Sequence, residues 1–118
     1  MGDMENDSRK AISGRKKNGT MSAAEAAMRK LSARMRTEWE IRDFLRSAEY
    51  PTEEIEAAIA ELKSYGYLHD ERYCREYFRY AKARGKADAR IVRELTQKGI
   101  SSETARNVIE DLRAEAAE

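Results

Sequence analysis

The side chains in this sequence best equipped to do chemistry are cations, and they are concentrated in residues 66–100, GYLHDERYCREYFRYAKARGKADARIVRELTQKGI. On a helix turning about 100° per residue, Arg72, Arg75, Arg79 and Lys82 share an arc of roughly 80°. Lys86, Arg90 and Arg93 share another on the helix predicted to follow, with Gln97 beside them. Rows of guanidinium and ammonium groups do not turn over a substrate. They pair with carboxylates or phosphates and orient a charged partner during encounter. These seven residues are the candidate partner-binding set, set against the plainer reading of two solvated helix faces.

Covalent chemistry has little to work with. The single histidine, His69, falls in a predicted loop or helix cap, where it serves as a cap or a surface residue. The single cysteine, Cys74, excludes an internal disulfide and lies on an apolar arc, as a small core residue does. The six glycines never form a phosphate-cradling pattern, and no His/Cys/Asp/Glu grouping has metal-ligand spacing. Glu53 and Glu54 are adjacent acids, but they sit where a helix N-terminus favours negative charge. The expectation is a protein that is not an enzyme, with no catalytic residue, metal or cofactor.

The stripes need helices to position them, and the sequence writes those helices out. Ser22 and Glu25 form a Ser-x-x-Glu capping box, followed by Ala24, Ala27, Met28, Leu31 and Met35 along one side. A second box, Thr37 to Glu40, starts a helix with Ile41, Phe44, Leu45 and Ala48 inward. The third follows Pro51, a residue tolerated in a first turn, with Ile55, Ala58, Ile59, Leu62 and Tyr65 inward. Gly66 with Tyr67 after it fits a left-handed helix stop with an apolar contact beyond, and Gly99 with Ile100 repeats that arrangement. Gly85 divides the central stretch into two helices. In the first of them Tyr73, Cys74, Tyr77, Phe78, Tyr80 and Ala81 fill roughly 160° of the surface and are expected to be buried. No stretch alternates apolar and polar residues over a strand length.

Shifting the sequence by fifty positions aligns Arg29 with Arg79, Ile41 with Ile91, Leu45 with Leu95, Ile59 with Ile109 and Leu62 with Leu112, without a gap. The predicted fold is all-α: two tandem three-helix repeats, residues 21–66 and 67–118, in an elongated helical array. Each repeat alone is short of core, so packing of one on the other is expected. Residues 1–20 carry few large apolar side chains and are read as a disordered basic tail, whose Arg9, Lys10, Arg15, Lys16 and Lys17 are within reach of phosphate.

GYLHDERYCREYF followed by ARIVRELTQKGIS resembles the bacterial RecX family, cytoplasmic regulators of the RecA recombinase. The resemblance continues upstream through RMRTEWEIRDFLRS and covers about residues 23–112. His69 stands where the family usually has the first of two acids, Cys74 where Ala is common, and no third repeat follows Leu112. The chain thus looks like a short, two-repeat form. The resemblance implies a protein that lies along the RecA filament and restrains its ATP hydrolysis, strand exchange and co-protease activity in DNA repair and the SOS response. Single-stranded DNA would be met through the filament. The competing reading is a small helical DNA-binding module of helix-turn-helix type.

Composition weighs between the two. The formal net charge is only +1, with 38% charged and 41% apolar residues. Residues 71–100 carry nine Lys/Arg against four Asp/Glu, whereas residues 37–70 carry three against nine. Such segregation suits a dipolar surface that orients on a protein, and speaks against bulk attraction to nucleic acid. With one cysteine and no apolar run long enough for a leader or a membrane span, a cytoplasmic monomer is expected.

Overall fold

The computed structural model describes residues 21–117; the predicted basic tail lies outside the described residues. They form six helices: α1 (Ala23–Ala33), α2 (Glu38–Ser47), α3 (Thr52–Ser64), α4 (Asp70–Ala83), α5 (Asp88–Gln97) and α6 (Ser102–Ala117). No strand occurs among the described residues. The fold is all-α, with two three-helix repeats in tandem.

Both capping boxes form. Ser22 Oγ accepts from Glu25 N at 3.1 Å while Ser22 N donates to the Glu25 carboxylate at 3.1 Å. Thr37 and Glu40 exchange the same pair of bonds, both at 3.0 Å. Pro51 is the N-cap residue of α3, and the helix follows it as expected. At the other ends, Gly66, Gly85 and Gly99 have φ of 81°, 81° and 90°. Each closes its helix with the same two bonds: Gly99 N donates to Thr96 O at 3.0 Å and Ile100 N to Leu95 O at 3.1 Å. This is the left-handed stop that a residue without Cβ makes at least cost.

The described residues divide into two compact units: 21–35 with Ile41–Leu68, and Arg36–Glu40 with 69–117. The turn leading into α2 thus belongs to the second unit. Thr37 explains this: it is fully buried there, and its hydroxyl, besides accepting from Glu40 N, donates to Lys98 O at 2.7 Å. Glu38 N donates to the Asp70 carboxylate at 2.9 Å. The first unit packs α1 on α3 around Ala23, Ala24, Ala27, Ile41, Leu45, Ile55, Ala58, Ile59, Leu62 and Leu68. In the second, α4, α5 and α6 pack mutually around Tyr73, Cys74, Ala81, Ile91, Leu95, Ile100, Ala105, Val108, Ile109 and Leu112.

Each unit therefore has its own core, contrary to the expectation that a repeat would need the other to bury its stripes. Ile41, Leu45, Ile91 and Leu95 are wholly buried, and side chains of this size contribute about 1.5–3 kcal/mol each. Four predicted inward residues are exposed instead. Met35 follows the end of α1, Ala48 follows α2, Tyr65 caps α3, and Tyr80 lies at the rim of the α4 arc. Tyr67 is also exposed and sets its ring edge-on to Tyr65, at 5.9 Å, instead of reaching back into the core.

Candidate partner-binding surface

The stripe cations lie on α4 and α5 of the second unit except Lys86, which stands in the turn between them and not on the helix predicted for it; His69 starts α4. Its Nδ1 accepts from Arg72 N at 3.0 Å, an N-cap bond that takes up one of the unpaired donors of the first turn. The imidazole has the capping role expected of it.

The seven predicted cations separate into two groups. Arg72, Arg79, Arg90 and Arg93 are exposed. Arg79 pairs with Glu76 one turn away at 3.1 Å, both more than half exposed, an arrangement that adds at most about 1 kcal/mol. The Arg93 guanidinium has no hydrogen-bond or ion-pair partner among the described residues. The others work inside the unit. Arg75 donates to both carboxylate oxygens of Glu115 on α6 at 2.8 Å, and this bond, chiefly, pushes its pKa up. Lys82 reaches Asp88 at 3.0 Å, and Asp88 also meets Arg113 of α6, which holds the Asp88 carboxyl below the usual range. The expectation that all seven point outward thus fails at Arg75 and Lys86, both of which are half-buried.

The residue that sequence reasoning missed is Glu94. It is half-buried on α5 and accepts from Tyr77 Oη at 2.5 Å, from Lys86 Nζ at 2.9 and 3.1 Å, and from Arg90 Nε at 3.0 Å. The Tyr77 bond first, and then Lys86, holds its carboxyl down to about 2. Burial, and next the bond to Glu94, pushes the Tyr77 hydroxyl up to about 12. Lys86 and Lys98 also approach the Tyr77 ring, at 5.9 and 5.5 Å. The four-residue spacing of Arg90 and Glu94 is visible in the sequence; the convergence of α4 and α5 on one carboxylate is not.

The remaining chemistry is structural. Cys74 is fully buried, and burial, with Asp70 and Glu71 adding to it, pushes its thiol up to about 12. Among the described residues no group of three or more His, Cys, Asp or Glu is placed to hold a metal, and no helix is long and apolar enough to cross a membrane. A groove of about 350 Å³ runs between α5 and α6 over Val92 and Ile109, with Arg106 and Glu110 on its α6 side. The corresponding positions of the first repeat hold Arg42 and Glu56, at the places of Val92 and Arg106, joined by two bonds at 2.7 and 2.8 Å.

Two family models match in register with these units: RecX, first three-helix domain, over residues 23–62, and RecX, second three-helix domain, over residues 70–109. The chain belongs to the RecX family. It is 39% identical over 70 residues to the regulatory protein RecX of Haemophilus ducreyi, covering 59% of this chain and 46% of that one. It is 36% identical over 96 residues to the RecX of Vibrio parahaemolyticus, covering 81% and 59%. The crystal structure of RecX from Lactobacillus salivarius superposes with a TM-score of 0.72 at 28% identity, over 74% of this chain and 57% of that one. The chain thus spans roughly half the length of these RecX proteins. The second matched domain includes all seven stripe cations.

Proposed function

We propose that this chain is a regulator that binds the RecA filament, in the cytoplasm, and restrains its ATP hydrolysis, strand exchange and co-protease activity in DNA repair, recombination and the SOS response. It acts by binding and not by turnover. The observation that carries this reading is the match to both three-helix domains of a family of regulatory proteins whose name points to RecA. The surface chemistry supports it. Arg72, Arg79, Arg90 and Arg93 lie at the surface of the second unit. A row of exposed arginines is suited to orient on acidic groups of a partner. Within the stripe, Arg75 and Lys86 support the fold, Lys82 links α4 to α5 and Arg90 is held by Glu94, so contact with the partner falls to Arg72, Arg79 and Arg93.

The test compares inhibition of RecA-driven ATP hydrolysis on single-stranded DNA by the wild type and by the triple reversal Arg72→Glu, Arg79→Glu, Arg93→Glu, at two salt concentrations. The expected result is an intact helical fold with weaker, less salt-sensitive inhibition by the reversal. Equal potency removes this surface from the interface. If RecA is never bound and the reversal instead abolishes binding to naked DNA, the DNA-module reading replaces this one.

A further inference from the structure

The first helix of each repeat ends on the same three residues at the same spacing. Over residues 21–68 the fifty-residue shift gives eight identical pairs. Four of them, Ile41 with Ile91, Leu45 with Leu95, Ile59 with Ile109 and Leu62 with Leu112, are core, and Glu53 with Glu103 serves the first turns of α3 and α6. The other three are Arg29 with Arg79, Ala33 with Ala83 and Arg34 with Arg84, an Arg-x-x-x-Ala-Arg run in each repeat, and all six residues are exposed. Exposed positions of this kind accept most substitutions with little effect on stability, so packing accounts for the first five pairs and not for these.

Partners within the molecule do not account for them either. On α4, Arg79 pairs with Glu76 at 3.1 Å, and the Arg84 guanidinium lies 4.6 Å from the centre of the Tyr80 ring. On α1 both partners are replaced: Ala26 stands at the place of Glu76 and Lys30 at the place of Tyr80. The Arg29 and Arg34 guanidinium groups have no hydrogen-bond, ion-pair or ring partner among the described residues. The arginines persist where their partners change. Arg34 and Arg84 are C-cap residues, where any cation favours the helix dipole, but Arg29 and Arg79 lie before the last turn and gain less from it. Exposed arginines of the α5 stripe do not recur in this way, since Glu40 and Asp43 stand at the places of Arg90 and Arg93.

We infer that Arg29 with Arg34, and Arg79 with Arg84, are one partner contact carried twice, each pair taking carboxylates of the protein partner. This inference rests on the reading of the chain as a RecA-filament binder and brings the first unit into the interface. A filament of identical subunits offers the same acidic group more than once, which suits a contact that the chain presents twice. Glu76 beside Arg79, and a formal net charge of only +1, oppose a continuous run of phosphates. A discrete carboxylate, by contrast, matches the planar fork of one guanidinium.

The experiment measures binding of the full chain and its variants to RecA filaments assembled on single-stranded DNA with a non-hydrolysable nucleotide, binding to the same DNA without RecA, and the melting temperature of each protein. The double variant Arg29→Gln, Arg34→Gln should bind filaments about tenfold or more weakly and melt as the wild type does. Arg84→Gln should weaken binding in the same direction. Lysine at positions 29 and 34 should give an intermediate affinity, because an ammonium keeps the charge and loses the fork. Arg46→Gln, an exposed first-unit arginine with Thr96 at its place in the second repeat, should bind as the wild type does. Unchanged filament affinity of the Arg29, Arg34 double variant, or of Arg84→Gln, overturns the inference and leaves the functional reading standing. Failure of the wild type to bind filaments removes both. An equal loss with Arg46→Gln makes the effect one of bulk charge, and a lowered melting temperature of the double variant makes the pair structural; either overturns the inference. Loss of binding to DNA alone makes the ligand a phosphate and overturns it as well.

Discussion

Replacing Gly99 by alanine should destabilise the second unit more than the same replacement at Gly85, although the two glycines share a left-handed backbone, with φ of 90° and 81°. The backbone cost of an L side chain there is about 1–2 kcal/mol at either position. The difference lies in what the new methyl meets. Around Gly85 there is nothing within 4 Å, whereas at Gly99 the added Cβ would stand 2.1 Å from Trp39 Cβ and 2.4 Å from Trp39 Cγ. Because Cβ is fixed to the backbone, the start of α2 at Trp39 must then shift off the turn, and forced repacking of this kind costs about 1–3 kcal/mol. The expected losses are about 1–2 kcal/mol for Gly85→Ala and about 2–5 kcal/mol for Gly99→Ala. Urea unfolding followed by far-ultraviolet circular dichroism reads both as shifts of the midpoint at constant slope. Fluorescence of Trp39, the single tryptophan, follows the second unit directly. In a Trp39→Gly background, which removes Cβ together with the indole, the excess at Gly99 should vanish, leaving the backbone cost alone. Equal losses at the two glycines, or an excess that survives removal of the whole Trp39 side chain, would refute the reasoning.

Acid stability should depend on Glu94. Its folded-state pKa of about 2 lies below the ordinary 4.5, so the stability it confers is present above pH 4.5 and is lost as the pH falls toward 2. Glu94→Gln should flatten that part of the melting-temperature profile, with the remaining slope left to carboxylates such as Asp88 and Glu56, whose pKa values are lowered in the same direction. An unchanged profile would mean the carboxylate is not held as described. At the end of α2, Glu49 occupies a left-handed position with φ of 69°, and fifty residues later the same position holds Gly99. Glu49→Gly should therefore stabilise the chain by about 0.5–1 kcal/mol, and a lower urea midpoint would contradict this.

Much of the fold was legible because the interactions that set it are local. A capping box spans three residues, a left-handed stop needs one glycine, and an apolar stripe recurs every three or four positions, so Ser22, Thr37, Gly66 and Ile41 identify themselves. The repeat then located the core twice, since Ile41 with Ile91 and Leu45 with Leu95 are buried pair by pair. The errors cluster at helix ends and rims. Met35, Ala48 and Tyr65 continue the apolar period past the point where a neighbouring helix remains to cover them, and periodicity carries no information about how far that neighbour extends.

The candidate surface was only half legible, because the partner of a charge is decided by distance in space. From the sequence alone Arg75, Lys86 and Arg93 are equivalent cations on helical arcs. Folding brings Glu115, forty residues away, onto Arg75, and gathers Tyr77, Lys86 and Arg90 on Glu94, while Arg93 keeps its charge for solvent. The same holds for Thr37, which is readable as a helix cap but reaches Lys98 across sixty-one residues and so draws the start of α2 into the second unit. Helices, their ends and the two-fold repetition followed from interactions within a few residues of one another. Which cations are consumed by the fold and which remain at the surface depended on tertiary packing, since an ion pair forms only where two helices bring opposite charges within about 4 Å.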